Sequence, residues 1–477
     1  MPTFLRSFLA ASTALALAGI QFRAEAGDSG ISPPATGTAT PPKSFWTGDY
    51  MSQPWLGVRD KWKAAGISFR PDWTGEVFGN PSGGAGKGVV SDGVFELPLA
   101  IDFDPLTGGA VKDLTFKASA FYIYGSNLSQ SFVHDFSISS NIAAYNTLRL
   151  DELWIQKGLW NNTVTVRVGN QGIDNEFFVS NSAALFIGST FGSFTLLANN
   201  PNNEFFPPVY PVASPGVRIA VTPDPHYYVM AGVYGIDQGL KPDENDKDGL
   251  RFALNSESGM LIMAETGYLL NQGKNDQGLQ GSYRLGSFIE TGNTPIFASQ
   301  ANAELNGGPV QQSGVNYGIY GVVDQQLYAD GPRNITIFAR PGGAPSNSNF
   351  VDYYVDGGFN FTGFLPGRDK DIAGLAVARS HVSKDFSNAQ VAEGNAPYSA
   401  ETYLEATYKL QLTPWWNIQP DFQYVITPSG EAGSHNATII GVRTYLLFAG
   451  VAAPVRAWIF RTGVHALTGA ATRKQTS

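Results

Sequence analysis

Alternation dominates the chain. Along 67–78 the odd positions carry Ile67, Phe69, Pro71, Trp73, Gly75 and Val77, and the even ones Ser68, Arg70, Asp72, Thr74 and Glu76. A strand sends successive side chains to opposite faces, so this segment has one apolar and one charged face. The pattern returns as Phe95, Leu97, Leu99, Ile101 and Phe103 against Glu96 and Asp102. Near the far end it reads Leu404, Ala406, Tyr408, Leu410 and Leu412 against Glu405, Lys409 and Gln411.

Between Ile67 and Phe448 the pattern predicts about 16 strands, broken by Gly, Asn, Asp and Pro clusters. They start near Ile67, Val94, Leu114, Thr147, Thr163, Gly216, His226, Gly259, Gly281, Gly314, Asn334, Phe350, Asp371, Ala400, Trp415 and Asn436. Leu250–Leu254 could count as one more short strand. Thr413-Pro414 and Pro223–Pro225 read as tight turns. Gly125–Asn146, Asn175–Pro215, Gly235–Gly249, Thr291–Gly314 and Ser383–Tyr398 are longer connections. Short turns on one rim and long loops on the other are the asymmetry of an outer-membrane β-barrel. A soluble sandwich or propeller, its charged face simply solvated, is the rival that alternation alone leaves open.

The N-terminus sharpens the choice. Arg6 precedes the apolar run Phe8–Ile20, and Ala24-Glu25-Ala26 is a small-x-small cleavage site. Residues 1–26 therefore read as an export signal, too short in its apolar run to span as a helix. Elsewhere no stretch offers 18 consecutive apolar residues, so helical membrane spans are excluded. Residues 27–43 are rich in Gly, Pro, Ser and Thr and read as a tether. Trp55, Leu56, Val58 and Trp62, among Arg59, Asp60, Lys61 and Lys63, predict a short amphipathic helix near Pro54–Ala65, stopped by Gly66. The 27–66 segment is thus a periplasmic linker with one helix.

Composition narrows the class further. The chain is 43% hydrophobic and 15% charged, which excludes disorder. Aromatics reach 13%, suited to girdles at two membrane interfaces. Zero Cys removes disulfides, thiolate metal sites and a Cys nucleophile. A net charge of −9 offers no basic patch for nucleic acid. Neither a Walker A loop nor a dinucleotide fingerprint occurs, and no cofactor is expected. The acidic run Asp243–Gly249 lacks calcium-loop spacing and reads as a solvated loop. Asp72 and Glu76 could suggest a glycosidase. Positions four apart on one strand face lie roughly 13 Å apart, beyond the roughly 5–9.5 Å that such chemistry needs.

Five blocks in order resemble the carbohydrate-selective porins of the OprB type. They are WTGDYMSQPWLGVRDKWKAAGISF (Trp46–Phe69), GEVFGNPSGG (Gly75–Gly84), DELWIQKGLWNNTVTVRVGNQGIDNEFFVSNSAALFIGSTFG (Asp151–Gly192), YPVASPGVRI (Tyr210–Ile219) with AGVYGIDQG after it, and NATIIGVRTYLLF (Asn436–Phe448). The resemblance covers nearly all of Trp46–Phe448. It implies an all-β transmembrane antiparallel barrel of about 16 strands over 67–448, with an inward-folded loop and passive sugar diffusion. One departure stands out: the family's last strand normally ends the protein on an aromatic residue, whereas Phe448 is followed by residues 449–477.

A passive pore needs polar groups that replace water, not catalytic ones. Carboxylates, Arg forks and amides match sugar hydroxyls, and aromatic rings match C–H faces. With the apolar phase towards lipid, the candidates facing the lumen are Arg70, Asp72, Glu76, Glu96, Asp102, Lys117, Arg149, Asp151, Arg167 and Gln171. The bland reading is that mixed-charge lumens merely hold water and order loops. The long connection beginning at Asn175, Glu176 and Phe177 also carries Phe178, Phe186, Phe191 and Phe194. So many rings predict packing inside the barrel as a constriction, with Asn175 and Glu176 lining it opposite Arg70 or Arg167. An external loop packed on its own aromatics is the alternative.

The expected protein is not an enzyme. It is an outer-membrane porin for sugars, a monomer or homotrimer in lipid, with no nucleic-acid partner. Rival readings are a general or anion-selective porin and, further off, a secreted β-rich carbohydrate-active enzyme.

Overall fold

The computed structural model describes residues 45–46, 48–52, 58–193, 195–198, 207–236, 246–252, 254 and 259–448. The expected export signal, the tether, Phe194 and the 449–477 extension lie outside them. Eighteen segments form one continuous antiparallel sheet. One is the lead-in Ile67–Phe69, and two more are halves of one strand interrupted at Leu97-Pro98. Sixteen strands therefore make the wall.

In chain order the strands are β1 (Asp72–Ser82), β2 (Gly88–Glu96, continued by Leu99–Asp102), β3 (Leu114–Gly125) and β4 (Thr147–Leu159). Next come β5 (Val164–Gln171), β6 (Ser214–Asp224), β7 (Tyr227–Gly235) and β8 (Met260–Leu270). The second half holds β9 (Gly281–Glu290), β10 (Asn316–Asp330), β11 (Arg333–Gly343), β12 (Val351–Thr362), β13 (Ile372–Val382), β14 (Ala400–Thr413), β15 (Trp416–Ile426) and β16 (Ala437–Leu447). Each pairs with its neighbour, and β1 pairs with β16 in the register Trp73↔Leu446 and Glu76↔Arg443. The sheet is closed and has no free edge, as a membrane demands of strands.

Local sequence explains the wall. Glu405 on β14 is 3% exposed and its neighbour Leu404 38%, the two sides of one pleat. Val77, Leu148, Ile219, Leu285 and Phe422 stand exposed on the outer face, while Glu76, Arg218 and Gln423 are buried within. Glycines on adjoining strands make room for inward tyrosines. A Cβ at Gly267 would lie 2.2 Å from the Tyr228 ring, and one at Gly286 2.2 Å from the Tyr320 ring.

Fifteen of the expected starts lie within two residues of an observed strand or its lead-in; β2 begins at Gly88, well before Val94. Among the described residues of 250–254 none is in a strand. The amphipathic helix, α1, is described over Val58–Ala64; the rest of the expected Pro54–Ala65 span before it lies outside the described residues. Two further helices, α2 (Phe297–Asn306) and α3 (Lys384–Ala392), lie in long connections and meet through Phe297 and Phe386, ring centroids 5.2 Å apart.

Candidate functional site: the loop-lined lumen

The 172–213 connection, over its described residues, folds into the barrel. It runs round the inner wall, held by side chains that point inward. The Phe178 N–H donates to Glu265 Oε2 on β8 at 2.8 Å, and the Ser180 hydroxyl to Asp324 Oδ1 on β10 at 2.6 Å. Asn360 on β12 donates to the Ser182 carbonyl at 2.8 Å. The Ile187 and Gly188 N–H groups donate to the two oxygens of Glu405 on β14 at 2.6 and 2.9 Å. Gln419 on β15 reaches the Leu185 carbonyl at 2.8 Å. Phe177, Phe178, Phe186 and Phe191 are all fully buried. Burying each such ring stabilises the inward position by roughly 1.5–3 kcal/mol.

Glu265 shows how the wall prepares these anchors. Tyr228 and Tyr320, seated over Gly267 and Gly286, donate their hydroxyls to Glu265 at 2.6 and 2.8 Å. The oriented carboxylate then takes the loop's Phe178 N–H.

A second connection, 126–146, also folds inward, which the local pattern did not reveal. The Phe136 and Ser137 N–H groups donate to Glu401 at 3.1 and 2.9 Å. Gln423 donates to the Ser139 carbonyl at 2.9 Å. The loops touch one another: the Asn141 N–H donates to the Ile187 carbonyl at 2.8 Å. The sequence signal was present as Leu128, Phe132, Val133 and Phe136, apolar residues in a connection.

The candidate residues fall into three groups. The first surrounds the root of the 172–213 loop. Glu176 lies 2.6 Å from Arg218 and 3.2 Å from Arg167. Burial opposes its charge, but the two guanidinium groups outweigh that and hold its carboxyl below the usual range. Glu176 therefore touches Arg167 and does not face it across the opening. Arg167 donates to Gln156 Oε1 at 3.1 and 3.0 Å and covers the Trp154 ring at 3.9 Å. Asn175 donates to Glu152 at 3.3 Å, Gln171 to the Gly216 carbonyl at 3.0 Å, and Phe177 meets Tyr234 edge to face. Nearby, burial pushes the Asp174 carboxyl up to about 6, against the Tyr210 N–H that donates to it.

The second group climbs the adjoining wall. Lys117 on β3 pairs with Glu152, and Glu96 interacts with Lys117 and Arg70. Asp72 interacts with Glu96, Tyr445 and Arg70; Glu76 pairs with Arg443 across the closure seam. Asp151 accepts from the Ser119 hydroxyl at 2.8 Å. The third group lies apart. Asp102 caps the short helix Phe103–Leu106, accepting from the Asp104 N–H at 3.0 Å. Arg149 is buried at the long-loop end with Asp246, 3.6 Å away, and Tyr145. Sequence reasoning missed Arg218, Gln156, Glu152, Glu265 and the Arg340–Asp356 pair, although each lies on the polar phase of a strand.

A closed sixteen-stranded barrel with a polar interior and inward loops is a diffusion channel of the porin class. The description "Carbohydrate-selective porin, OprB family" matches residues 93–448, and the chain belongs to that family. Porin B of Pseudomonas aeruginosa is 24% identical over 444 residues, covering 85% of this chain and 92% of that protein. A high-pH structure of Pseudomonas putida OprB superposes with a TM-score of 0.77 at 24% identity, over 85% of this chain and 100% of that one. A low-pH structure of the same protein gives a TM-score of 0.54 at 21% identity, over 84% of this chain and 99% of that one. The protein is an outer-membrane porin for sugars and not an enzyme.

Proposed function

We propose that small neutral sugars pass by diffusion along the wall that carries Arg70, Asp72, Glu96, Lys117, Glu152, Arg167, Glu176 and Arg218. The observation that carries this reading is the alternation of sign along that wall, with Lys117 between Glu96 and Glu152 and Glu176 between two arginines. Donors and acceptors at short intervals suit hydroxyls, which are both. An uninterrupted row of one sign would instead favour ions. Asp102 and Arg149 take structural parts in this reading. Each barrel supplies a whole wall and its loops, so one chain is the conducting unit in a monomer or a homotrimer, embedded in outer-membrane lipid. Residues 1–26 direct export, 27–66 link to the barrel from the periplasm, 67–448 conduct, and 449–477 form an appendage.

Liposome swelling tests the reading. Monosaccharides are expected to enter faster than anions of similar size. Equal or faster anion entry would overturn sugar preference.

A further inference from the structure

The outer face carries one feature that diffusion does not use. On β13 the outward residues are Leu375, Val377, Arg379 and His381, while Ala376, Ala378 and Ser380 are buried. Leu375 and Val377 meet lipid as the pattern requires. Arg379 and His381 continue the same face towards the long-loop rim, and Arg379 places a guanidinium outside the barrel. Asp352, bonded to His381, stands at the same rim, whereas other outward charges such as Lys157 and Arg333 lie near the short turns.

Arg379 precedes the strand end at Val382 by three residues. At roughly 3.3 Å per residue and a tilt near 40°, it lies about 8 Å below the rim. An outward Arg costs roughly 2–4 kcal/mol at the midplane but about 0–1 near an interface, so this height belongs to headgroups. Its Nη1 donates to the Thr402 hydroxyl on β14 at 2.7 Å, which fixes the guanidinium along the strand boundary. No carboxylate among the described residues forms an ion pair with it. His381 donates its Nδ1–H to Asp352 at 2.6 Å, and its imidazolium form has a second N–H, at Nε2, to donate to a phosphate oxygen. Tyr353, paired with His381 in the register, is half exposed beside them.

We propose that Arg379, with His381 and Tyr353, binds the phosphate of a phosphorylated outer-leaflet lipid at the β12–β14 face. A guanidinium offers a fork to phosphate oxygens, and the apolar strip of Leu375, Val377, Leu404 and Phe422 below it receives acyl chains. The lipid, not a free anion, is the partner, because headgroup and chains meet the cation and the strip together.

The test uses the full-length protein in detergent micelles, titrated with bis-phosphorylated lipid A or its dephosphorylated form, with bound lipid counted by native mass spectrometry. The wild type should hold the phosphorylated lipid about fivefold better, and R379L should lose that preference, with R379K intermediate. Heat-modifiable gel migration confirms that each variant remains a barrel. Equal retention by wild type and R379L, or of both lipids by the wild type, overturns the proposal. So does occupancy by inorganic phosphate alone, which marks a free-anion site, or an oligomer that R379L dissociates, which marks a contact between copies.

Discussion

Arg340 and Asp356 form a buried ion pair on adjacent strands of the inner wall, Arg340 Nε lying 3.1 and 3.0 Å from the two carboxylate oxygens. The guanidinium also donates to the Thr190 and Phe191 carbonyls, at 3.1 and 2.8 Å. One arginine thus fastens the 172–213 loop to β11 and β12. Removing one partner of such a pair leaves a buried charge and costs about 3–5 kcal/mol. Arg340→Ala is expected to release this part of the loop. Single-channel recording should show higher or flickering conductance, and liposome swelling should show poorer discrimination among sugars. A channel with wild-type conductance and preference would place the passage elsewhere.

Replacing residues 181–196 with a short Gly/Ser linker removes the loop's contacts with Asn360, Glu405 and Gln419 and the Ser182 bond to Asp324, leaving that of Ser180. The expected result is a properly inserted barrel with raised conductance and weaker sugar preference. Unchanged values in planar-bilayer recordings would show that the loop does not narrow the path.

Glu176→Gln leaves Arg167 and Arg218 without their carboxylate. The local charge becomes more positive by one unit. Reversal potentials in a salt gradient should shift towards anion selectivity, while Arg218→Gln should shift them the other way. Shifts of the same sign in both variants would contradict a passage beside this cluster.

Phe448 stacks on Phe95, ring centroids 6.1 Å apart, and its N–H donates to the Pro71 carbonyl at 3.1 Å. Cutting the chain after Phe448 is expected to leave an inserted barrel. Phe448→Ala in that shortened chain should lower the folded fraction on heat-modifiability gels. Loss of insertion on truncation alone would show that 449–477 is structural.

His226 Nε2 and Asp276 Oδ2, 2.7 Å apart, join two short-turn connections. The bond to Asp276 holds His226 above its ordinary 6.5, and the bond to His226 holds Asp276 below its ordinary 3.8. The histidine's contribution is complete below its unfolded value and is lost as pH rises through its raised folded value. The aspartate's is complete above its unfolded value and is lost as pH falls through its lowered one. The link is strongest between 3.8 and 6.5. Amide protection at Gly273, whose N–H donates to Asp276, should therefore fall from pH 5.5 to 8.5 in the wild type and stay flat in His226→Asn. A flat wild-type profile would refute the link.

The wall was legible because lipid and lumen impose a period of two on each strand. Its first start needed more than alternation. Pro71 offers no N–H, so the ladder breaks between the lead-in Ile67–Phe69 and β1. The glycines before Val89 hid the start of β2. Glu176 could be read as a loop-root acid, but Arg218, 42 positions away, was paired with it only by the fold. The inward course of 126–146 was hidden for the same reason, its anchor Glu401 lying 265 positions from Phe136. Asp102 shares the polar phase yet sits at a strand end, where capping is its nearest use.

The seam between β1 and β16 gives the chain a deadline. Trp73 cannot find Leu446 until almost the whole barrel has been synthesised and exported. Until then β1 offers its unpaired backbone to any strand in the periplasm. A chain broken off before Ala437 lacks the strand that closes the sheet against β1.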